Sequence, residues 1–195
     1  MKILTAEQIR ELDKFTIENE PISSFELMER AAGNCYDMLP FDDFFWFEST
    51  VYVCGKGNNG GDGLAMARRQ SVEDPEVIVI LIEHTKEGST DFAHNLYLLE
   101  EEGKVPVFRV RNMKDFPNIE SSALVVDAML GTGLSRPLDG LLAEVVCHLN
   151  TLENRIVSVD MPTGLFADDN STNNMDTVIR AYQTNTFHCP KMSLL

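Results

Sequence analysis

Thr50-Val-Tyr-Val-Cys-Gly-Lys-Gly-Asn-Asn-Gly-Gly-Asp-Gly63 is the stretch on which the fold turns. Its first five residues, Thr50–Cys54, are β-branched, aromatic or apolar and contain no turn former, so they read as a strand. The next nine, Gly55–Gly63, hold five glycines. Leu64–Arg69 then reads as a helix. A strand that empties through glycines into a helix brings bare backbone close to a ligand and aims free N–H groups at it. Nine such residues are more than a plain turn needs. Gly55–Gly63 therefore reads as a phosphate cradle, and Asp62 taken alone reads as the N-cap of the helix.

Working outward, the same texture repeats. Val77–Ile82, Val105–Val110, Ala123–Ala128 and Arg155–Asp160 are further runs apolar on both faces, as parallel strands covered by helices must be. Thr90–Glu102 and Leu141–Leu149 read as helices between them, and a last strand falls near Val178–Phe187. This alternation predicts a three-layer α/β/α, Rossmann-like fold, a mostly parallel sheet with helices on both faces. Before residue 50 the pattern is helical. Thr5-Ala-Glu-Gln8 and Ser23-Ser-Phe-Glu26 are capping boxes that open two helices, broken by Pro21 and stopped by Pro40. Phe41–Phe47 is dense in aromatics and reads as core or subunit contact, since no basic residues accompany it to make a base-stacking platform.

The whole sequence narrows the function classes. The 195 residues suit one domain with a sizeable core, and hydrophobic residues at 44% with charged residues at 24% are globular values. Sixteen Lys and Arg against 31 Asp and Glu give a net charge of −15, without the basic footprint that nucleic acid or anionic lipid requires. No signal peptide opens the chain and no apolar run approaches a membrane span. Four cysteines and four histidines lack metal-ligand spacing, so zinc is not expected; a cytoplasmic protein with reduced thiols is. An anion must accordingly be held by local devices rather than by the overall field.

Two other strand ends carry unusual residues, and in an open parallel sheet ligands sit beyond such ends. Asp127-Ala-Met-Leu-Gly-Thr-Gly-Leu-Ser-Arg-Pro137 places a carboxylate at a strand end, two glycines after it, and Arg136 as a phosphate partner. Taken alone, the segment also reads as a βα turn capped by Asp127. Ser158-Val-Asp-Met-Pro-Thr-Gly164 ends a buried strand on Asp160, with Pro162 and Gly164 fixing a sharp turn. A carboxylate held there, partly desolvated, suits general acid–base work; a structural carboxylate accepting backbone N–H bonds is the alternative. Gly55, Gly57 and Gly60 also satisfy the dinucleotide fingerprint G-x-G-x-x-G, with Glu83 about twenty residues on. That reading, an NAD-dependent oxidoreductase, needs neither the doubled Asn nor Gly61 and Gly63.

Together the motifs resemble the YjeF N-terminal domain family, the NAD(P)H-hydrate epimerases. The resemblance rests on Leu27-Met-Glu-Arg-Ala31, Gly57-Asn-Asn-Gly-Gly-Asp-Gly63, Asp127-Ala-Met-Leu-Gly-Thr-Gly133, Val159-Asp-Met-Pro-Thr-Gly164 and Thr186-Phe-His-Cys-Pro-Lys191, in that order along the chain. It implies a single YjeF N-terminal domain over 1–195 and an isomerase acting on NADHX and NADPHX, nicotinamide nucleotides hydrated at ring carbon C6. Such an enzyme interconverts R and S epimers so that a dehydratase specific for S can restore the nucleotide. By the same resemblance Asn58, Asn59, Gly60, Gly61, Asp62, Gly131, Thr132, Gly133, Leu134, Ser135, Arg136, Pro137 and Asp160 contact substrate. Asn59, Asp127 and Thr163 hold a potassium ion, Thr163 standing where Ser is common. These are hard oxygen donors, suited to an alkali cation. The chemistry itself needs a carboxylic acid that gives and retakes a proton near C6, and Asp160 is assigned that role. Lys191 either contacts substrate or supports the loops. A homodimer is implied too, and relatives that run past the match to Lys191 leave open a bifunctional chain with a dehydratase domain downstream. The competing class is a binding module that uses the same pocket to sense a nucleotide or bind a protein partner, without turnover.

Overall fold

The computed structural model describes residues 3–41, 47–74 and 76–195. In chain order its helices and strands are α1 (Ala6–Asn19), α2 (Ser24–Tyr36), β1 (Ser49–Cys54), α3 (Asn58–Gln70), β2 (Val77–Ile82), α4 (Thr90–Glu102), β3 (Val107–Val110), β4 (Ala123–Ala128), α5 (Gly140–Leu149), β5 (Ile156–Val159) and β6 (Gln183–Asn185). Both capping boxes form: Gln8 N–H donates to Thr5 Oγ1 at 3.3 Å and Glu26 N–H to Ser23 Oγ at 3.1 Å, each reciprocated from the N-cap amide. Residues 42–46, most of the aromatic run, lie outside the described residues. Of its ends, Phe41 is exposed and Phe47 packs on the core.

The six strands form one sheet in the order β3-β2-β1-β4-β5-β6, every pair parallel. Alternation along the strands sorts their side chains into two layers. Tyr52, Cys54, Val79, Leu81, Val126 and Val157 face α2, α3 and α4. Val51, Val53, Ile80, Val125 and Ile156 face α5, whose Leu142, Val145, Val146 and Leu149 recur at helical spacing and are all buried. Full burial of each such side chain is worth about 1.5–3 kcal/mol. A buried polar chain ties α3 to β1: Tyr52 donates to Gln70 Oε1 at 2.8 Å, and Gln70 Nε2 donates to Thr50 Oγ1 at 2.9 Å. Among the described residues no helix is long and apolar enough to cross a membrane.

Two elements differ from the sequence reading. Helix α3 begins at Asn58, six residues before Leu64, so the glycine loop is its first turns and its N-cap is Gly57. Asp62 is thus no cap but an interior helical residue. The cause is packing rather than propensity. A Cβ at Gly60 would stand 2.0 Å from Gly55 O, and one at Gly63 2.5 Å from Ala128 Cβ, so only a bare helix face fits between β1 and β4. The last strand shrinks to Gln183–Asn185, because backbone groups before it bond outside the sheet: Ile179 N–H donates to Thr163 O at 2.8 Å, Arg180 N–H donates to Asn150 Oδ1 at 2.9 Å, and Val178 O accepts from Asn150 Nδ2 at 2.8 Å.

Candidate functional site

Strand order reverses between β1 and β4. Successive strands run outward from β1 through β2 to β3 on one side and from β4 through β5 to β6 on the other. Such a switch point leaves a crevice beyond the strand ends. The loops after β1, β4 and β5 all open there, around a cavity of about 510 Å³. Gly57, Asn58 and Asn59 line it from the start of α3. The first intrahelical bond runs from Gly61 N–H to Gly57 O, so the amides of Asn58, Asn59 and Gly60 precede the helical ladder, as donors for an anion.

Asp160 follows β5 with φ +65°, a left-handed conformation uncommon outside glycine and frequent at functional positions. The sheet holds that geometry: Asp160 N–H donates to Asn185 O at 2.8 Å. The residue is 8% exposed. Its Oδ1 accepts from Lys191 Nζ at 2.6 Å and from Phe187 N–H at 3.4 Å, while Oδ2 accepts from Thr132 N–H at 3.3 Å. Gly131 makes room here, since a Cβ on it would reach within 2.9 Å of Asp160 Oδ2 and 3.4 Å of the Asn59 amide. Lys191 is wholly buried, and its ammonium is satisfied by Asp160, Thr186 Oγ1 (2.6 Å) and Phe187 O (2.9 Å). Among the described residues it touches the cavity only through Asp160 and the Thr186–Phe187 segment, as a support.

Asp127 sits one layer deeper, wholly buried and in register with Ser158. Its oxygens accept from Ser158 Oγ (2.8 Å), Thr163 N–H (2.9 Å), Thr163 Oγ1 (2.6 Å) and Met129 N–H (3.3 Å). Burial pushes its carboxyl above the usual range, against the pull of those four bonds. It therefore caps its own turn, by way of Met129, and braces the β5 loop as well. Thr163 Oγ1 also accepts from Leu130 N–H at 3.0 Å, which joins the loops after β4 and β5.

Asp62 lines the same cavity, 7% exposed, and accepts no hydrogen bond among the described residues. Burial first, and then the nearby carboxylates of Asp160, Asp13 and Asp91, hold its carboxyl well above the usual range. The Asn59 amide is buried with neither Oδ1 nor Nδ2 partnered. An orphaned amide oxygen beside the Asp127–Thr163 cluster is a donor set that fits an alkali cation.

Of the candidate contacts, Asn58, Asn59, Asp62, Gly131, Thr132, Gly133, Leu134 and Asp160 line the cavity. Gly60 and Gly61 do not; they pack α3, Gly60 on Gly55 O and Gly61 on Met28. Ser135, Arg136 and Pro137 are exposed and stand outside the lining. The basic side chains on the lining are instead Arg10 and the imidazole of His188. Sequence reasoning found α1 as a helix but missed it as a wall of the site. Its Arg10, Asp13 and Ile17, at i, i+3 and i+7, close one wall, and Asp13 Oδ1 meets His188 Nε2 at 3.2 Å. That spacing was the available signal, a mixed polar and apolar helical face. The thiols near the cavity are not nucleophiles: burial pushes Cys35 up to about 12 and Cys54 higher still.

Comparisons with known proteins agree with this arrangement. The chain is 33% identical over 193 residues to the NAD(P)H-hydrate epimerase of Limosilactobacillus reuteri, covering 99% of this chain and 87% of the relative. It is 35% identical over 192 residues to the enzyme of the same name from Oenococcus oeni, covering 98% and 88%. It also matches the bifunctional NAD(P)H-hydrate repair enzyme Nnr of Salinibacter ruber at 34% identity, spanning 98% of this chain but only 37% of that relative's length. In fold it superposes on the crystal structure of yeast ynu0 with a TM-score of 0.78 at 21% identity, covering 98% of this chain and 82% of that one. The family model described as YjeF-related protein N-terminus matches residues 24–193, and the chain belongs to that family.

Proposed function

We infer that this chain is an NAD(P)H-hydrate epimerase, an isomerase that interconverts the R and S forms of NADHX and NADPHX at ring carbon C6. The observation that carries the reading is Asp160, a carboxylate turned into the switch-point cavity at φ +65° and clamped there by a buried lysine. Relatives named for this activity match almost the whole chain.

The chemistry asks little of the protein. Protonation of the C6 hydroxyl lets it leave as water, the lone pair on the ring nitrogen stabilises the iminium, and water returns on the other face. Asp160 supplies the carboxyl beside C6, and Lys191 with the Phe187 and Thr132 amides fixes its direction. The amides at the start of α3 take the substrate's phosphates, as helix N-termini do. Gly131 keeps the floor of the site open between Asp160 and Asn59, both of which a Cβ there would crowd. Asn59, Asp127 and Thr163 would hold a potassium ion, whose positive charge would offset the phosphates. The bifunctional relative makes an NAD(P)H-hydrate dehydratase the natural consumer of the product, fused or separate.

A coupled assay tests the reading. Purified R-NADHX is mixed with a dehydratase specific for the S epimer, and recovery of NADH is followed with and without this protein. Recovery that depends on the protein supports the epimerase. Saturable binding of NADHX without recovery would support the sensing module instead, and turnover of NAD+ in the absence of any hydrate would support the oxidoreductase.

A further inference from the structure

The cavity holds two carboxyl groups near each other in opposite circumstances. Asp160 has an ammonium and two backbone amides as donors. Asp62, reaching the cavity from α3 rather than from β5, has none among the described residues. Structural explanations for Asp62 fail in turn. It does not cap α3, whose N-cap is Gly57. Among the described residues it forms no ion pair, and those whose charge bears on it are acidic: Asp160 after β5, Asp13 on α1 and Asp91 on α4. A buried carboxyl among carboxylates, with no donor, costs stability and returns none. Its burial and those neighbours keep it protonated well above the ordinary carboxylate range. Two carboxyls in one cavity, one held by an ammonium and two backbone amides and the other without a donor among the described residues, are placed to work as an acid and base pair.

Inversion by loss and return of water sets a matching demand. One proton must reach the hydroxyl on one face of the ring, and another must leave the incoming water on the opposite face. Building on the epimerase reading above, we propose that Asp62 is the second proton-transfer group: it serves one face of C6 while Asp160 serves the other. In one direction the C6–O bond breaks as the Asp62 proton moves to the hydroxyl, and water departs from the iminium. The oxygen of a second water then bonds to C6 from the other face, and its proton passes to Asp160. Asp62 is left ionised and Asp160 protonated, which is the arrangement required to convert the opposite epimer; proton exchange with solvent also resets the pair.

The test separates inversion from hydroxyl exchange. Each purified epimer is incubated in oxygen-18 water with wild type, Asp62→Asn or Asp160→Asn, and epimer ratio and label at C6 are read by chromatography and mass spectrometry. Wild type inverts both epimers with uptake of label. Each variant loses inversion by about 100-fold or more. Each still exchanges the C6 oxygen of one epimer with retention, since the remaining carboxyl expels and restores the hydroxyl on its own face, and the two variants act on different epimers. Inversion by Asp62→Asn within about threefold of wild type, or absence of epimer-selective exchange, overturns the proposal. Wild type that inverts neither epimer overturns the epimerase reading, and this proposal with it. Should Asp62→Asn not fold, the Asp160→Asn arm decides alone, because exchange without inversion there requires a second carboxyl.

Discussion

Asp160 is held by a φ of +65°, an ammonium at 2.6 Å and two backbone amides, so its side chain has one direction available. Replacing it by Asn keeps the shape and removes the proposed proton-transfer group. Asp160→Asn should lower the rate of R-to-S inversion by about 10²–10⁴-fold while leaving substrate binding measurable by calorimetry. Lys191 acts through Asp160. Lys191→Met strands a buried carboxylate and should destabilise the fold by about 3–5 kcal/mol in urea unfolding; the double variant with Asp160→Asn should cost less than the sum of the two. Asp62 gives a pH signature. Burial, and then Asp160, Asp13 and Asp91, raise its carboxyl in the folded chain, so the native state holds that proton to higher pH than the unfolded state does. Its contribution is full below the unfolded value of about 3.9 and is lost as pH rises toward the folded value. Asp62→Asn should therefore gain stability relative to wild type as pH rises from 4, with the gain levelling off once pH passes the raised folded value. A constant difference across that range would contradict the assignment.

At the scale of elements, what was legible in the sequence was what local chemistry decides. Thr5 with Gln8 and Ser23 with Glu26 announced two helix starts, and runs buried on both faces announced a parallel sheet. The start of α3 was not legible. Gly60, Gly61 and Gly63 are poor helix formers, and only their packing against Gly55, Met28 and Ala128 makes them helical. This inverts the usual effect of replacing helical glycine. Gly60→Ala, gaining propensity, should nevertheless cost upward of about 3 kcal/mol, because its Cβ would meet Gly55 O at 2.0 Å. Gly57→Ala, with nothing within 4 Å of its Cβ and an extended backbone, should stay within about 0.5 kcal/mol of wild type. Chemical denaturation of the two variants checks both. The Lys191–Asp160 pair was equally hidden, since 31 residues separate its members and nothing near Lys191 marks it as buried.

At the scale of the molecule, the net charge of −15 and the strand order together define how an anionic dinucleotide can be held. The lining itself carries Asp13, Asp62, Asp91 and Asp160 against Arg10 and His188, and Arg136 stands outside it. Attraction therefore falls to backbone amides at the switch point and, on the reading proposed above, to a potassium ion that Asn59, Asp127 and Thr163 would hold, rather than to basic side chains. Those devices serve a site whose business is moving protons at C6. The most direct measurement of that claim is the appearance of S-NADHX from purified R-NADHX, resolved by chromatography, with wild type, Asp160→Asn and no protein side by side. Inversion by wild type far above the protein-free rate, and its collapse in Asp160→Asn, is the result expected; equal rates in all three would contradict the account.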